Sequence, residues 1–386
     1  MPAEPRAFTL DIPDSTLSDL AQRLAFARLP ERTPGEAWAY GSDVAYMREL
    51  IDYWKGSFDW RKEEAALNAL PNYKVALDGI DLHYLAVPGK GPNPTPLLLL
   101  HGWPGSVFEF LDILPRLTDP ARFGGDPKDA LTVIAPSLPG FGLSFTAGQP
   151  RFGLEEMAET MSRLMREVLG IPRYLLQGGD WGCFVATRLA YTNPDEVLGL
   201  HLNLLPLRRE PEMFADEDPE TKRYLGELKH WMKEETGYQW IQGTRPQTLA
   251  FALTDSPLGL AAWIVEKFHT WTDCSGDIES ALDRDRMLAN ISLYWFTGAI
   301  NSSFWPYYAR MHRPWPIPKG ATIEVPTGYA AFPKEILRPG RRLAETTFSD
   351  IRRWTEMPRG GHFAALEQPE ALAHEVLAFA RSLRTA

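Results

Sequence analysis

Four short apolar runs constrain this chain more than any other feature: "PLLLL" at 96–100, "LTVIAP" at 131–136, "RYLLQ" at 173–177 and "VLGLHLNLL" at 197–205. The first three lack the apolar–polar alternation of a half-exposed strand, and the fourth is leucine-rich with His201 and Asn203 inside it. Runs that are apolar throughout and bounded by Gly or Pro read as strands covered on both faces. Parallel strands need crossover helices, and a helix of the right period lies between the second and third runs. In "LEEMAETMSRLMREVLGIP", Met157, Met161, Leu164, Met165 and Val168 form one stripe, closed by Gly170 and Pro172. Alternating strand and helix dictates a doubly wound, mostly parallel α/β sheet.

Upstream, "KVALDGIDLHYLAV" is two apolar runs around Asp78-Gly79, a hairpin signal. The first 70 residues read as helical without an interrupting strand. Leu17, Leu20 and Leu24 line one stripe there, and Val44, Met47, Ile51 and Trp54 another. Such an arm cannot bury those stripes on itself and is expected to pack on the remainder of the chain. After Leu205 the alternation stops. Residues 206–318 read as helices rich in Trp and Tyr, strand character returns at "ATIEV" (321–325) and "DIRRWTEMP" (350–358), and "PEALAHEVLAFARSL" closes the chain. Counting the hairpin, eight strands are expected: a helical meander over 1–72, a sheet core over 73–205 and 319–386, and a helical cap over 206–318 inserted after the sixth strand.

Composition excludes several classes. A net charge of −10 over 386 residues gives no footprint for nucleic acid. The longest apolar runs fall far short of the ~18 residues that span a bilayer, and the first residues lack the layout of a secretion signal. Two cysteines, Cys183 and Cys274, are too few for a disulfide framework and fit a reducing cytoplasm. The 33 prolines, against about 19 at average usage, suggest many fixed loop corners.

The chemistry concentrates in three Gly-rich stretches. In "LLQGGDWGCFVATRLA" a strand runs through Gly178-Gly179-Asp180-Trp181-Gly182 straight into a helix. This is the shape of a nucleophile elbow with Asp180, not serine, at its tip. An aspartate at a strand–helix junction is more often a simple cap; glycines at 178, 179 and 182 shift the balance toward a tight elbow. "HGWPG", residues 101–105, follows the first of the four strands, where an α/β-hydrolase core keeps one oxyanion-hole N–H. The donors would be Trp103 and Trp181, and His101 would help shape the loop. Third is "RGGHFAALEQPE", which places His362 on a loop after the last strand, the position of the general base. His83, His230 and His312 read as structural. An acid that orients His362 is expected near the returning strand, with Glu324, Glu335 and Asp350 equally eligible.

A carboxylate nucleophile is informative. Attack on an acyl group would give an anhydride, which is uphill, whereas attack on an sp³ carbon gives an ordinary ester that a histidine and water can hydrolyse. The leaving group is then a halide, which needs an indole or amide cradle, or an epoxide oxygen, which needs a proton donor such as tyrosine. A cap rich in tyrosine favours the epoxide.

The sequence resembles the microsomal-type epoxide hydrolase family over nearly its whole length. The likeness runs through "DIPDSTLSDLAQRLAFARLP", "LLLLHGWPGSVFEF", "APSLPGFGLS", "GGDWG", "GYQWIQGTRPQTLAFALTDSPLGLAAWIVEKFHTWTD", "VPTGYAAFPKEIL" and "RGGHFAALEQPE". It implies an α/β-hydrolase fold with Asp180 as nucleophile, His362 as base, and Glu335, in Phe332-Pro333-Lys334-Glu335, as the orienting acid. It also implies Tyr238 and Tyr307 as proton donors, the latter from Ser302-Ser303-Phe304-Trp305-Pro306-Tyr307. Trp305 stands where the family has Arg, and Tyr308 is the neighbouring alternative. The resemblance implies neither metal nor organic cofactor, and a small-molecule epoxide and water as partners. No partnership with nucleic acid or membrane is expected, because the sequence has no counterpart to the N-terminal membrane helix of anchored members. A homo-oligomer is compatible with the sequence. Two rivals remain on sequence grounds: a haloalkane-dehalogenase-like hydrolase, which would not need the paired phenols, and a non-catalytic ligand-binding protein on the same fold.

Overall fold

A computed structural model describes residues 4–208, 212–213, 216 and 218–384. Nine strands form one sheet: β1 (Arg6–Ala7), β2 (Asn72–Leu77), β3 (Ile80–Val87), β4 (Thr95–Leu100), β5 (Leu131–Pro136), β6 (Tyr174–Gly178), β7 (Val197–Leu202), β8 (Thr327–Ala331) and β9 (Ile351–Glu356). Their order is β1-β2-β3-β5-β4-β6-β7-β8-β9. The pairs from β5 to β9 are parallel, and β1, β2 and β3 join antiparallel. The β2–β3 hairpin turns at Asp78 and Gly79, both at positive φ (51° and 79°), as a two-residue turn that matches strand twist requires.

The apolar runs are sorted by the two-residue period of a strand. Leu98, Leu100 and Leu176 face one layer, with Met157 and Met161 of the helix Leu154–Arg163 and Val185 and Leu189 of the helix Asp180–Thr192. Leu97, Leu99 and Leu175 face the other, with Leu114, Leu117 and, from the helix Pro369–Arg384, Leu372 and Val376. Both faces of the central strands are thereby covered, which is why their sequences lack polar alternation.

Between β7 and β8 lie the helices Pro219–Glu234, Gly237–Thr244, Pro246–Asp255, Pro257–Trp271, Arg284–Thr297 and Trp305–His312. The N-terminal helices Asp14–Ala25, Val44–Gly56 and Trp60–Asn68 lean on them. The Trp54 indole N–H donates to Ser292 Oγ (3.1 Å), Tyr53 OH donates to Asp285 (2.7 Å), Arg286 pairs with Glu63 (2.9 Å), and Trp38 stacks on His269 at 3.9 Å. The apolar stripes of the arm are thus buried against cap helices.

Two expectations need correcting. The N-terminal arm does contain a strand, β1. Two residues hydrogen-bonded to the sheet edge carry no periodic signal, and they shift the insertion from after the sixth to after the seventh strand. The strand placed at "ATIEV" lies instead at Thr327–Ala331. Ile323 forms only an isolated bridge to Phe348, while "TGYAA" is fully buried between β7 and β9. Its small residues, weak strand formers by propensity, are selected by packing: a Cβ on Gly328 would meet the Phe379 ring at 2.7 Å.

Candidate active site

The stretch around Asp180 folds as an elbow because three glycines let backbones close in. A Cβ on Gly178 would stand 2.5 Å from the Gly182 backbone, one on Gly182 2.7 Å from His101 O, and one on Gly179 2.8 Å from the Asn203 amide. The helix therefore starts hard against β6 and β4. Asp180 is its first residue, held at φ +44°, a left-handed conformation that non-glycine residues keep only under constraint. Its side chain does not cap the helix; Gly179 occupies the cap position without a side-chain bond. The carboxylate instead accepts the Trp103 N–H at 2.7 Å through Oδ1 and stands 3.3 Å from His362 Nε2 through Oδ2. Trp181 N–H lies in the first turn of the same helix, where amides have no intrahelical acceptor.

The loop carrying Trp103 is fastened from both sides. His101 is fully enclosed, and burial pushes its pKa down to about 4. The Leu138 N–H donates to its Nε2 (3.0 Å), leaving Nδ1–H to donate to Gly102 O (3.1 Å). From the cap, Asn290 Nδ2 donates to Pro104 O (2.7 Å) and Tyr294 OH to Gly105 O (2.8 Å). The sequence carried no sign of either anchor: both lie more than 180 positions from the loop, on a helix that reads as cap core.

The two glycines before His362 have separate tasks. Gly360 turns at φ +107°, and Gly361 approaches a cap helix so closely that a Cβ would meet Trp271 O at 2.5 Å. The His362 N–H donates to that same carbonyl (2.8 Å). The imidazole then reaches Glu335, whose Oε1 lies 2.6 Å from Nδ1 and also accepts the Ile336 N–H (2.7 Å). Of the three acids left open by the sequence, Glu324 is exposed and Asp350 pairs with Arg352; only Glu335 is brought to His362. Burial works to lower the His362 pKa, but the Glu335 charge and the Asp180 contact outweigh it and hold the imidazole well above its ordinary value.

Tyr238, from the helix Gly237–Thr244, and Tyr307, from the helix Trp305–His312, come together over this group with ring centroids 5.7 Å apart. Tyr238 stacks on Trp103 (5.5 Å, 11°), and Tyr307 stands edge-on to Trp181 (4.7 Å, 90°). Burial, with the Asp180 charge adding to it, keeps both phenols strongly protonated. The Tyr307 hydroxyl is buried without a hydrogen-bond partner. Tyr308 stacks on His312 at 4.0 Å and lines an outer surface hollow with Trp305. His83 (bonded to Ser137 and Asn72), His230 and His312 lie away from the cluster.

Two cavities meet at Asp180. A large one of about 430 Å³ runs beneath the cap and is lined by Trp181, Phe184, Trp231, Tyr238 and Tyr307. A small one of about 20 Å³ is bordered by Trp103, His362 and Glu109. Asp180 borders both. Among the described residues no group of His, Cys, Asp and Glu is arranged to hold a metal ion.

Comparison with known proteins places the chain. Residues 5–110 match the family model described as epoxide hydrolase N terminus, and residues 95–236 match alpha/beta hydrolase fold. The chain is 36% identical to epoxide hydrolase 1 of Oryctolagus cuniculus over 403 residues, 97% of this chain and 88% of that protein. The crystal structure of juvenile hormone epoxide hydrolase from the silkworm Bombyx mori superposes with a TM-score of 0.89 at 30% identity, covering 99% of this chain and 95% of that one. The Aspergillus niger epoxide hydrolase structure gives 0.86 at 30% identity, with 98% and 97% covered. The aspartate-tipped elbow, the histidine and the paired cap tyrosines thus sit in a chain that belongs to the epoxide hydrolase family, on the α/β-hydrolase fold.

Proposed function

We propose that this protein adds water to an epoxide, giving a vicinal diol, through a covalent ester on Asp180. One observation carries the reading: Asp180 borders both a large, mostly apolar cavity lined by two phenols and a small one bordered by an imidazole. The epoxide enters the first, with its oxygen against Tyr238 and Tyr307. Asp180 attacks one ring carbon; the C–O bond breaks, and the oxygen takes a phenolic proton. A phenol suits this step because a neutral donor near an alkoxide's basicity releases its proton only as the charge develops.

Ester formation also changes His362. The free carboxylate helps keep the imidazole protonated; esterification removes that charge and the pKa falls. The imidazolium proton then passes through water to the phenolate left by ring opening, so His362 becomes a base only once there is an ester to hydrolyse. Oriented by Glu335, it takes a proton from water as the water oxygen bonds to Asp180 Cγ, while the Trp103 and Trp181 N–H groups stabilise the oxyanion. Collapse breaks the Cγ–O bond to the diol, which leaves with the proton from His362. The second water proton stays on the regenerated Asp180 carboxyl and passes to His362, which restores the carboxylate–imidazolium pair. Water and epoxide are the only reactants consumed.

A single turnover with enzyme in excess, in ¹⁸O-labelled water, tests this. The first diol should be unlabelled and the label should remain on Asp180. Label in the first diol would mean direct attack by water and end the covalent proposal.

A further inference from the structure

The small cavity has three titratable neighbours besides Asp180. Two are His101 and His362; the third, Glu109, follows the Trp103 loop in a short 3₁₀ turn, Val107–Phe110, and has no part in the mechanism above. We infer that Glu109 is a further catalytic residue: its carboxyl accepts one O–H of the hydrolytic water while His362 Nε2 accepts the other, aiming the water's lone pair at Asp180 Cγ. This rests on the covalent reading.

Space and partners support it. A cavity of about 20 Å³ is room for one water, and a confined water needs two to four polar partners. The His101 ring nitrogens are both engaged, and the Gln177 amide N–H₂ is given to Asn203 (2.9 Å). His362 Nε2 is buried and faces the Asp180 carboxylate at 3.3 Å without a well-aligned hydrogen bond, and esterification of Asp180 removes that charge and frees Nε2 for the water. The Glu109 carboxyl folds back over Gly105, where a Cβ would stand 2.5 Å from its Cδ, so the second glycine of "HGWPG" is what lets it reach this place. Burial, opposed by the His362 charge and reinforced by that of Asp180, moves the carboxyl up to about 8. At neutral pH Glu109 is therefore largely neutral: its carbonyl oxygen can accept a hydrogen bond without competing with His362 for the proton.

The test is rapid-quench single turnover of styrene oxide by wild type, Glu109→Gln and Glu109→Leu, following the mass of the Asp180 peptide and the diol together. Gln keeps the accepting oxygen; Leu removes it. Losing one orienting contact should slow ester hydrolysis by on the order of tenfold in Glu109→Leu, so the modified peptide accumulates, while Glu109→Gln restores most of the rate and ester formation changes far less than hydrolysis in either variant. Hydrolysis at the wild-type rate in folded Glu109→Leu, or equal slowing of both steps in both variants, would overturn the assignment. Absence of any ester in wild type would instead remove the covalent reading, and this inference with it.

Discussion

Replacing Gly102 by alanine tests the placement of the carboxylate proposed to attack the epoxide. A Cβ at this position would stand 2.6 Å from Asp180 Cγ and closer still to Oδ1, against about 3.5 Å for a relaxed contact. Something must retreat by about 1 Å. The start of the Asp180 helix resists this, because Gly178 and Gly182 already hold it against neighbouring backbone. The Trp103 loop is tied down by Asn290 and Tyr294. Rotation of the carboxylate clears Oδ1 and Cγ but not the Asp180 Cβ, itself nearer to the added methyl than Cγ is, so the elbow and the loop are also strained apart and the 2.7 Å bond from the Trp103 N–H is given up. A reacting group misplaced by about 1 Å loses about 10²-fold in rate, about 2.7 kcal/mol of barrier. Quench-flow measurement of ester formation, alongside thermal unfolding, should show this loss in a folded protein. The control is Gly226→Ala, inside the helix Pro219–Glu234, where a Cβ would meet nothing within 4 Å. That change should leave the rate alone and stabilise by about 0.5–1 kcal/mol. Ester formation in Gly102→Ala at the wild-type rate would show that attack does not depend on the carboxylate's position against the Trp103 N–H.

Other consequences can be checked together. Tyr238→Phe and Tyr307→Phe should each slow ring opening by about 10²-fold or more while sparing ester hydrolysis; if an alkyl halide is also a substrate, its displacement should not change, since a halide needs no proton. Glu335→Gln should slow hydrolysis by about 10²–10⁴-fold and drop the His362 pKa, measurable by NMR titration. Because that pKa is raised in the folded state, the stabilisation it brings is full below the unfolded value near 6.5 and fades as pH rises through the folded value. The unfolding-temperature gap between wild type and Glu335→Gln should therefore narrow with rising pH, and a widening gap would contradict the sign. Tyr294→Phe deprives the buried Gly105 carbonyl of its 2.8 Å donor, at about 1–3 kcal/mol, and should slow both ester formation and hydrolysis by loosening the Trp103 loop, whose N–H serves each step; unchanged stability and rates would mean that this bond does not hold the loop.

What could be read from the sequence was what depends on local backbone constraint. Gly178, Gly179 and Gly182 around Asp180, the Gly and Pro of "HGWPG", and Gly360-Gly361 before His362 mark places where a turn or a close approach admits no side chain, and each such demand is written in adjacent residues. The central strands were legible for a related reason: burial on both faces removes polar alternation. The orienting acid was not, because Glu324, Glu335 and Asp350 have the same chemistry and lie on the same stretch of chain; the resemblance singled out Glu335, and three-dimensional placement sets it 2.6 Å from His362. Strand β8 was displaced by a few residues because small side chains carry little periodic signal.

The sequence by itself therefore determined the alternating α/β order and the three turns that present Asp180, Trp103 and His362, since these depend on neighbours along the chain. Only the tertiary structure decided which acid reaches the imidazole, which cap residues clamp the Trp103 loop, and that Asp180 borders two cavities. Those relations join residues tens to hundreds of positions apart, and their energies arise from packing and hydrogen bonds that exist only after the cap, the arm and the sheet have closed on one another.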